Sequence, residues 1–317
     1  MISDAIGGYF SLELQKKQPY HGEENFVSLN TARNCLEYLL EANDYKLVYI
    51  PYFTCDVILE PFKKLNIDFK FYSIDNNLEP IFDFNSLGKA EAFLYTNYFG
   101  IKDNYVNKLS SYGINLIIDN AQSFFSKPFK RVDTFYSARK FLGVSDGAYL
   151  FTDKRLNLEL KQDQSYNRMK HLLKRIDASA EEGYAAFSEN DRSLVGQPIK
   201  KMSKLTELIL NSVNYETVKS KRLANFRFLH DNLKNSNQLA FDLSENQIPM
   251  VYPYWTNDLT LKKRLQENRI FSATYWPNVK EWCNPETLEY RLMDEVVYLA
   301  IDQRYNIKIM KEILKHV

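Results

Sequence analysis

Short apolar runs alternate with amphipathic segments over the first two thirds of the chain. Six runs are rich in β-branched and aromatic residues and end at polar residues, which is typical of buried strands. They cover residues 46–51, 68–75, 92–97, 114–119, 133–137 and 148–153. One segment before the first run, 31–42, and two segments between runs, 55–65 and 105–113, carry apolar residues at helical spacing. This alternation predicts an α/β domain with a largely parallel sheet and helices on both faces.

The pattern changes near Met202. Residues 202–235 carry apolar positions three and four apart with charges between them, which predicts one long or twice-broken amphipathic helix bridging two lobes. The pattern after it predicts a small α+β unit, with a strand at 249–256, a helix at 259–269, a short strand at 270–276 and a terminal helix. We therefore expect a large α/β domain at 1–205 and a bridging helix with a small α+β domain at 206–317.

A polar stretch interrupts the apolar pattern just before that helix. It runs from Ala178 to Gly196 and reads "ASAEEGYAAFSENDRSLVG". Such a stretch is typical of a mobile loop, and an ordered active-site loop is the alternative.

Composition narrows the class of protein. The 317 residues carry 41 Lys plus Arg and 40 Asp plus Glu, a net charge of +1, which disfavours nucleic acid as a partner. Three widely spaced cysteines and four scattered histidines predict neither a disulfide framework nor a metal site. The start "MISDAIGGYF" lacks a signal-peptide pattern, and no apolar window reaches the roughly 20 residues of a membrane span. We expect a cytoplasmic enzyme with no membrane partner.

Two residues at the ends of strand-like runs are candidates for chemistry. Asp119 ends one run, and Lys140 follows the next run along the chain. Ligands of open parallel sheets bind at the carboxyl ends of the strands. Each residue also has a structural explanation, Asp119 as a helix N-cap and Lys140 as a loop lysine lying along an apolar patch.

Together the two residues are more informative. An amine among Phe and Leu side chains is partly desolvated, which favours its neutral, nucleophilic form. A carboxylate across the crevice can keep a pyridine nitrogen protonated, so the pair suits pyridoxal phosphate (PLP). The helix start at "LNTARNCLEYLL" offers backbone N–H groups for the phosphate, with Asn30 or Thr31 as N-cap and free amides at Ala32 and Arg33.

The motifs of two other enzyme classes are incomplete or absent in the chain. Ser137 and Lys140 match the S-x-x-K motif of serine hydrolases, but K-T-G is absent and "SDG" stands only five residues downstream, at 145–147. A hydrolase is therefore the less favoured interpretation. No G-x-G-x-x-G follows a predicted strand, which excludes the usual dinucleotide fingerprint.

The motifs, taken in order, resemble the DegT/DnrJ/StrS family of PLP-dependent sugar aminotransferases, of fold type I. The most specific are "DNAQ" and a lysine followed six residues later by an acid and a glycine. The resemblance covers nearly the whole chain, through "GGYFSLEL", "TARNCL", "IPYFTCDVI", "NYFG", "IIDNAQS", "FYSARKFLGVSDGAYLFT", "KMSKLTELIL" and "YLAIDQRYN". It implies the fold type I architecture, a large domain with a mostly parallel central sheet and a smaller α+β C-terminal domain.

The resemblance also implies roles for single residues. Lys140 is similar to the lysine that binds PLP covalently, and Asp119 to the partner of the pyridinium nitrogen. Gln122 resembles the residue that contacts the phenolic oxygen of the ring. Ser137 is at most a hydrogen-bonding neighbour of the cofactor. The turn at Thr31, Ala32 and Arg33 resembles part of the phosphate cup of the family.

Several positions depart from the family pattern. Ala32 stands where the family has glycine, which is tolerated if its φ is negative. The ring-stacking position falls near Cys55, with Phe53 and Tyr52 beside it. The N-Y-R-M segment that relatives lend across their dimer interface has no clear counterpart, since "IKKMS" keeps only its methionine and serine.

The implied function is transfer of an amine from an amino acid, with glutamate as the expected donor, to a nucleotide-linked keto-sugar. Relatives that remove a sugar hydroxyl instead carry histidine in place of the lysine, so Lys140 favours transamination. Such enzymes usually serve surface polysaccharides such as O-antigen or capsule, and their sites are built from two chains, which implies a homodimer. A non-catalytic family member that acts as a binding module is the alternative.

Overall fold

The computed structural model describes residues 6–15, 17–22, 25–241, 243–244 and 247–317. Residues 1–5, the first half of the stretch in which no signal-peptide pattern was expected, lie outside the described residues. Across the described ranges, no helix combines the length and apolar character needed to cross a bilayer.

A seven-stranded sheet forms the centre of the fold, with the order β1-β7-β6-β5-β4-β2-β3. Only β7 runs antiparallel to its neighbours β1 and β6, so the other strands all point in one direction. The carboxyl ends of those strands therefore share one edge of the sheet. The strands are β1 Phe26–Leu29, β2 Leu47–Pro51, β3 Asp68–Tyr72, β4 Glu91–Thr96, β5 Leu116–Asn120, β6 Asp133–Ser137 and β7 Ala148–Phe151.

Helices cover both faces of this sheet, and a second sheet follows in the C-terminal third. In that sheet β8 (Val251–Trp255) pairs antiparallel with β9 (Val296–Ala300). The helices are α1 Ala32–Ala42, α2 Leu59–Leu65, α3 Asp103–Ser110, α4 Lys170–Asp177, α5 Ala180–Ser193, α6 Lys204–Ser212, α7 Tyr215–Leu233, α8 Leu261–Glu267, α9 Val279–Trp282, α10 Leu288–Glu295 and α11 Ile307–Leu314.

Two apolar clusters hold these layers together. One packs α1 and α2 on one face of the sheet, through residues such as Leu36, Leu39 and Phe62. The other fills the opposite face and continues to Tyr252 and Tyr298 of the C-terminal sheet. The mixed α/β architecture with a mostly parallel central sheet is thus confirmed, whereas the domain boundary at 205/206 stays a prediction.

The six strands predicted in the first two thirds of the chain are all present as β2 to β7, and the strand predicted at 249–256 is β8. Three other predictions are wrong. The bridging segment is neither continuous nor broken twice, but is broken once, at Val213 and Asn214, into α6 and α7. The expected loop at Ala178–Gly196 is mainly helix α5. The expected strand at 270–276 makes only the single bridge Ala273 to Tyr298, because Trp276 takes a positive φ of 59° and turns the chain away.

The buried imidazole of His21 makes stability depend on pH. It packs between aromatic rings, with its ring centroid 4.4 Å from that of Tyr136 and 4.8 Å from that of Phe26. Its Nε2 lies 2.9 Å from the carbonyl oxygen of Phe124. Burial lowers its pKa from 6.5 to about 4. In that pH range the unfolded chain binds a proton that the folded chain excludes, so stability is present above pH 6.5 and falls as the pH drops toward 4.

We expect this one group to remove about 3 kcal/mol of unfolding free energy between those pH values, at about 1.4 kcal/mol per pH unit. Urea unfolding of the wild type and of His21→Phe, measured from pH 7 to pH 4, tests this contribution of His21. The variant should lose less stability over this range. Parallel losses in the two proteins would assign the acid sensitivity to other groups.

Candidate active site

The predicted site residues converge at the carboxyl edge of the central sheet. Strands β5 and β6 run parallel, with Asp119 level with Phe135, and β1 leads at the same edge into helix α1. A cavity of about 440 Å³ opens there, which we call the inner cavity. Seven of the nine predicted residues line it: Thr31, Ala32, Arg33, Cys55, Asp119, Ser137 and Lys140.

A second cavity of about 650 Å³ lies beside the first, and we call it the outer cavity. Arg139 and Lys140 line both cavities, so the lysine lies where they meet. The far walls of the outer cavity come from the α4–α5 pair and from the C-terminal sheet. Cavities of this size are typical of small-molecule sites.

Asp119 is held with one oxygen engaged and one available. Its Oδ1 accepts a hydrogen bond from the backbone N–H of Ala121 at 2.8 Å, whereas Oδ2 has no hydrogen-bond partner among the described residues. Burial raises the pKa of Asp119, and the positive charge of Lys140 and the Ala121 hydrogen bond oppose that rise. A cationic group in the cavity would therefore stabilise the ionised carboxylate.

Lys140 ends a short 3-10 turn, Ala138–Lys140, directly after β6. The expectation that aromatic neighbours desolvate its amine is wrong, because Lys140 is exposed. The neighbouring Tyr136 and Phe141 point into the core, at 0% and 3% exposure. The lysine side chain is thus directed to the cavities and is accessible from them.

The turn after Lys140 depends on a glycine and a buried carboxylate. Gly147 has a φ of +107°, and a Cβ there would lie 2.8 Å from Cγ2 of Thr206. The fully buried Asp146 accepts hydrogen bonds from the N–H and hydroxyl of Ser203, both at 2.9 Å, and from the Thr206 hydroxyl. These contacts fix "SDG" as the turn that starts β7 and so place the lysine relative to the sheet.

Helix α1 begins at the cavity with free backbone donors. Thr31 is its N-cap, and the hydroxyl accepts from the N–H of Asn34 at 3.1 Å. The N–H groups of Thr31, Ala32 and Arg33 have no acceptor among the described residues. Ala32 does not take a positive φ, so alanine fits where relatives have glycine. The helix start is therefore suited to an anion.

Arg33 and Ser137 also line the cavity, and their side chains differ in the number of hydrogen bonds and ion pairs they make. The Arg33 side chain is engaged, because it donates to the carbonyl of Leu194 at 2.9 Å and pairs with Glu60 at 2.7 Å. The Ser137 side chain is only 8% exposed, and its hydroxyl makes no hydrogen bond to any described residue. No hydrogen bond joins Ser137 to Lys140 in the described part of the chain, so nothing here favours an S-x-x-K hydrolase.

The Cys55 thiol donates to Oδ1 of Asp56 at 3.5 Å, and burial raises its pKa. The structure corrects the placement of two other residues, since neither Phe53 nor Gln122 lines the inner cavity. Phe53 is fully buried and packs on Tyr98 and Trp276, with ring centroids 5.6 Å and 4.6 Å away. Burial among these aromatic rings removes the Phe53 side chain from water and so stabilises its place in the core.

Gln122 is also buried, at 1% exposure. Its Oε1 accepts from the N–H of Phe99 at 3.0 Å, and its Nε2 has no partner in the part of the chain described. Gln122 thus supports the loop after β4 and has one amide donor left over.

Sequence reasoning missed the contribution of α5 to the cavity. Asp191, Arg192, Leu194 and Val195, from the end of α5 and just beyond it, line the inner cavity. A sequence signal was available, because Ser179 and Glu182 have the spacing of a capping box and the Ser179 side chain does accept from the Glu182 N–H. No cluster of three metal-binding side chains occurs within the described ranges.

Comparison with known proteins adds a structural relationship at low sequence identity. No family model matches the sequence, and no curated protein matches it by sequence. Among solved structures, the PLP form of a candidate sugar aminotransferase from Streptococcus pneumoniae matches with a TM-score of 0.65 and 13% identity, over 93% of this chain and 86% of that chain. A DegT DnrJ EryC1 StrS aminotransferase from Brucella abortus gives 0.61 and 15%, over 94% and 86%.

A third match is a variant of a GDP-4-keto-6-deoxymannose-3-dehydratase with bound GDP-perosamine, at a TM-score of 0.60 and 13% identity, over 94% of this chain and 89% of that chain. These proteins are of the kind that the sequence motifs resemble. The chain therefore has the fold of the DegT/DnrJ/StrS sugar aminotransferases.

Proposed function

We propose that the protein is a PLP-dependent aminotransferase that moves an amine from an amino acid, glutamate in the first instance, to a nucleotide-linked keto-sugar. The observation that carries this proposal is the inner cavity, which Lys140 and Asp119 line together with the N-terminus of α1. The folds of a PLP-form enzyme and of a protein with bound GDP-perosamine support the cofactor and the substrate class.

The residues present fit this cofactor. Among the described residues, one carboxylate oxygen of Asp119 has no partner, which suits a protonated ring nitrogen. The three amides at the start of α1 and the hydroxyl of Ser137 also lack a partner in the described part of the chain, and they suit a phosphate. The donor set therefore offers a place for a cation and a place for an anion on the walls of one cavity.

Each residue then has a defined task. Lys140 holds the cofactor covalently and, as a free amine, moves a proton at the α-carbon of the amino donor. Asp119 keeps the ring nitrogen protonated, and when bound the cofactor supplies an electron-withdrawing ring. Gln122 and Cys55 are proposed to contribute around the ring, Gln122 through the loop it supports and Cys55 directly at the cavity wall.

The outer cavity is the proposed place for the keto-sugar nucleotide. It reaches Lys140 at one end, and its walls combine cationic side chains with apolar ones. Arg175 makes no ion pair among the described residues. The buried Arg222 donates to carbonyl oxygens and to the side-chain amide oxygen of Gln303, and its guanidinium lies 4.7 Å from the centroid of the Phe141 ring. Positive charge beside apolar surface suits a diphosphate joined to a sugar and a base.

Assembly and context form part of the same proposal. Apolar side chains are exposed on the α4–α5 pair, including Ile176 at 81% and Tyr184 at 67%, and on the N-terminal segment at Tyr9 and Phe10. A second copy of the chain could cover these surfaces, as expected for a homodimer. A cytoplasmic location, a role in surface polysaccharide such as O-antigen, and the domain division 1–205 and 206–317 complete the proposal.

The function is tested by incubating the purified protein with PLP, ¹⁵N-glutamate and a panel of nucleotide-linked keto-sugars. Mass spectrometry should detect a labelled amino-sugar nucleotide. A protein that binds no PLP and yields no labelled product would contradict the proposal and favour a binding module. Hydrolytic activity without PLP that is lost in Ser137→Ala would instead support the hydrolase.

A further inference from the structure

The segment that ends α5 is fastened to the beginning of α1. The side chain of Asn34 donates to the carbonyl of Gln197 at 2.9 Å, and that of Asn30 to the carbonyl of Pro198 at 3.1 Å. The N–H of Gly196 donates to Oε1 of Glu60 at 2.8 Å. These contacts, together with the Arg33 bond to Leu194, hold the end of α5 against the free amides of α1 within a single chain.

A second set of contacts holds α5 to the turn that carries Lys140. The side chain of Asn190 donates to the carbonyl of Ser145 at 3.0 Å, and Asp191 pairs with Arg139. The last turn of α5 is therefore fixed at two sides of the inner cavity. A side chain on that turn reaches the cavity from a defined position.

Charge pairing leaves one arginine of the inner cavity available. Arg33 pairs with Glu60 and Arg139 with Asp191. Arg192 lines the cavity, is exposed, and makes no hydrogen bond or ion pair through its side chain to any described residue. Lys140 has the separate task of covalent binding, so Arg192 is the cation left for an anionic group.

The cavity shows independently that it is built for an anion. Ser137 is more than nine-tenths buried and lines the cavity, yet its hydroxyl has no partner in the described part of the chain. It joins the three free amides of α1, whose helix dipole favours negative charge at this end. A guanidinium beside these donors would add a charge-assisted bond to a phosphate.

We infer that Arg192 binds the phosphate of the cofactor, so that the end of α5 contributes to the phosphate site of its own chain. This inference rests on the proposed function. Arg192 then supplies the cation of the phosphate site. The Arg33 side chain is already engaged, and the N-Y-R-M segment has no clear counterpart in this chain.

The test compares PLP with pyridoxal, which lacks the phosphate. Dissociation constants of both are measured by absorbance titration for the wild type, Arg192→Ala and Arg192→Lys. Arg227→Ala is the matched control, because that arginine is exposed on α7 and lines neither cavity. Arg192→Ala should weaken PLP roughly tenfold to a hundredfold and leave pyridoxal unchanged. Arg192→Lys should recover part of the loss, and Arg227→Ala should bind PLP as the wild type does.

The outcomes separate this inference from the function on which it rests. Wild-type protein that binds no PLP overturns the proposed function. If the wild type binds PLP, equal PLP affinity in Arg192→Ala, or equal losses for PLP and pyridoxal, overturns the role of Arg192 and leaves the function standing.

Discussion

Replacing Lys140 with alanine is expected to abolish amino transfer, lowering kcat by about a thousandfold or more. The lysine carries two tasks, covalent binding of the cofactor and proton movement at the substrate carbon, and proton transfer by a positioned group alone contributes roughly 10²–10⁴-fold. Because Lys140 is exposed, its removal should change the unfolding free energy by less than about 0.5 kcal/mol. Loss of activity should therefore occur in a protein that is still folded.

The measurement is labelled-amine transfer from glutamate, together with thermal unfolding of each variant. Lys130→Ala is a suitable control, since Lys130 is exposed and lines neither cavity. It should keep wild-type activity. A Lys140→Ala variant that retains a tenth or more of the wild-type rate would show that this lysine is not the catalytic group.

The second large effect is expected for Asp119→Asn. An amide cannot hold a proton on the ring nitrogen, and removing one member of a buried ion pair costs about 3–5 kcal/mol. Cofactor affinity should fall by roughly 10²–10³-fold, with a matching loss of activity. Absorbance titration with PLP measures the affinity.

Asp119→Asn weakens cofactor binding, but in the cofactor-free protein it should not lower the free energy of unfolding. Because burial raises the folded-state pKa of Asp119, its contribution to stability is present below its ordinary pKa and is lost as the pH rises through the raised value. At neutral pH the cofactor-free Asp119→Asn protein should be at least as stable as the wild type. Lower thermal stability of that variant would contradict a site that holds an unpaired carboxylate ready for a cation.

The pH dependence of binding gives the same carboxylate an independent readout. Wild-type affinity for PLP should decline as the pH falls through the raised pKa of Asp119, and Asp119→Asn should lack this decline. Asp133→Asn is the matched control, because burial also raises the pKa of Asp133, which begins β6 and lines neither cavity. It should bind PLP like the wild type.

The central sheet and the main site residues could be predicted because the sequence pattern marks where the strands end. Runs such as 114–119 and 133–137 are short, apolar and bounded by polar residues, and parallel strands bring their carboxyl ends to one edge. Asp119, Lys140 and the start of α1 therefore converge as expected from position alone. The inner cavity confirms that they are neighbours, and their roles remain proposals.

What the sequence could not show depends on contacts between distant residues. β9 follows α10 without a breaking residue, so the apolar run at Val296–Ala300 gives no sign of where the helix stops. Phe53 lies two residues from Cys55 in sequence, yet it is drawn into the core by Trp276, more than 200 positions away. The residues of helix α5 are mostly polar, so the sequence predicted a loop there. The position of α5 at the cavity depends on hydrogen bonds to Asn30, Asn34 and Ser145.

The most direct test of the account is to reduce the PLP-loaded protein with borohydride, digest it and sequence the labelled peptide by mass spectrometry. We expect one pyridoxyl phosphate per chain, attached to Nζ of Lys140, with bleaching of the yellow colour. An unlabelled Lys140 peptide, with the label on another lysine or absent, would contradict it.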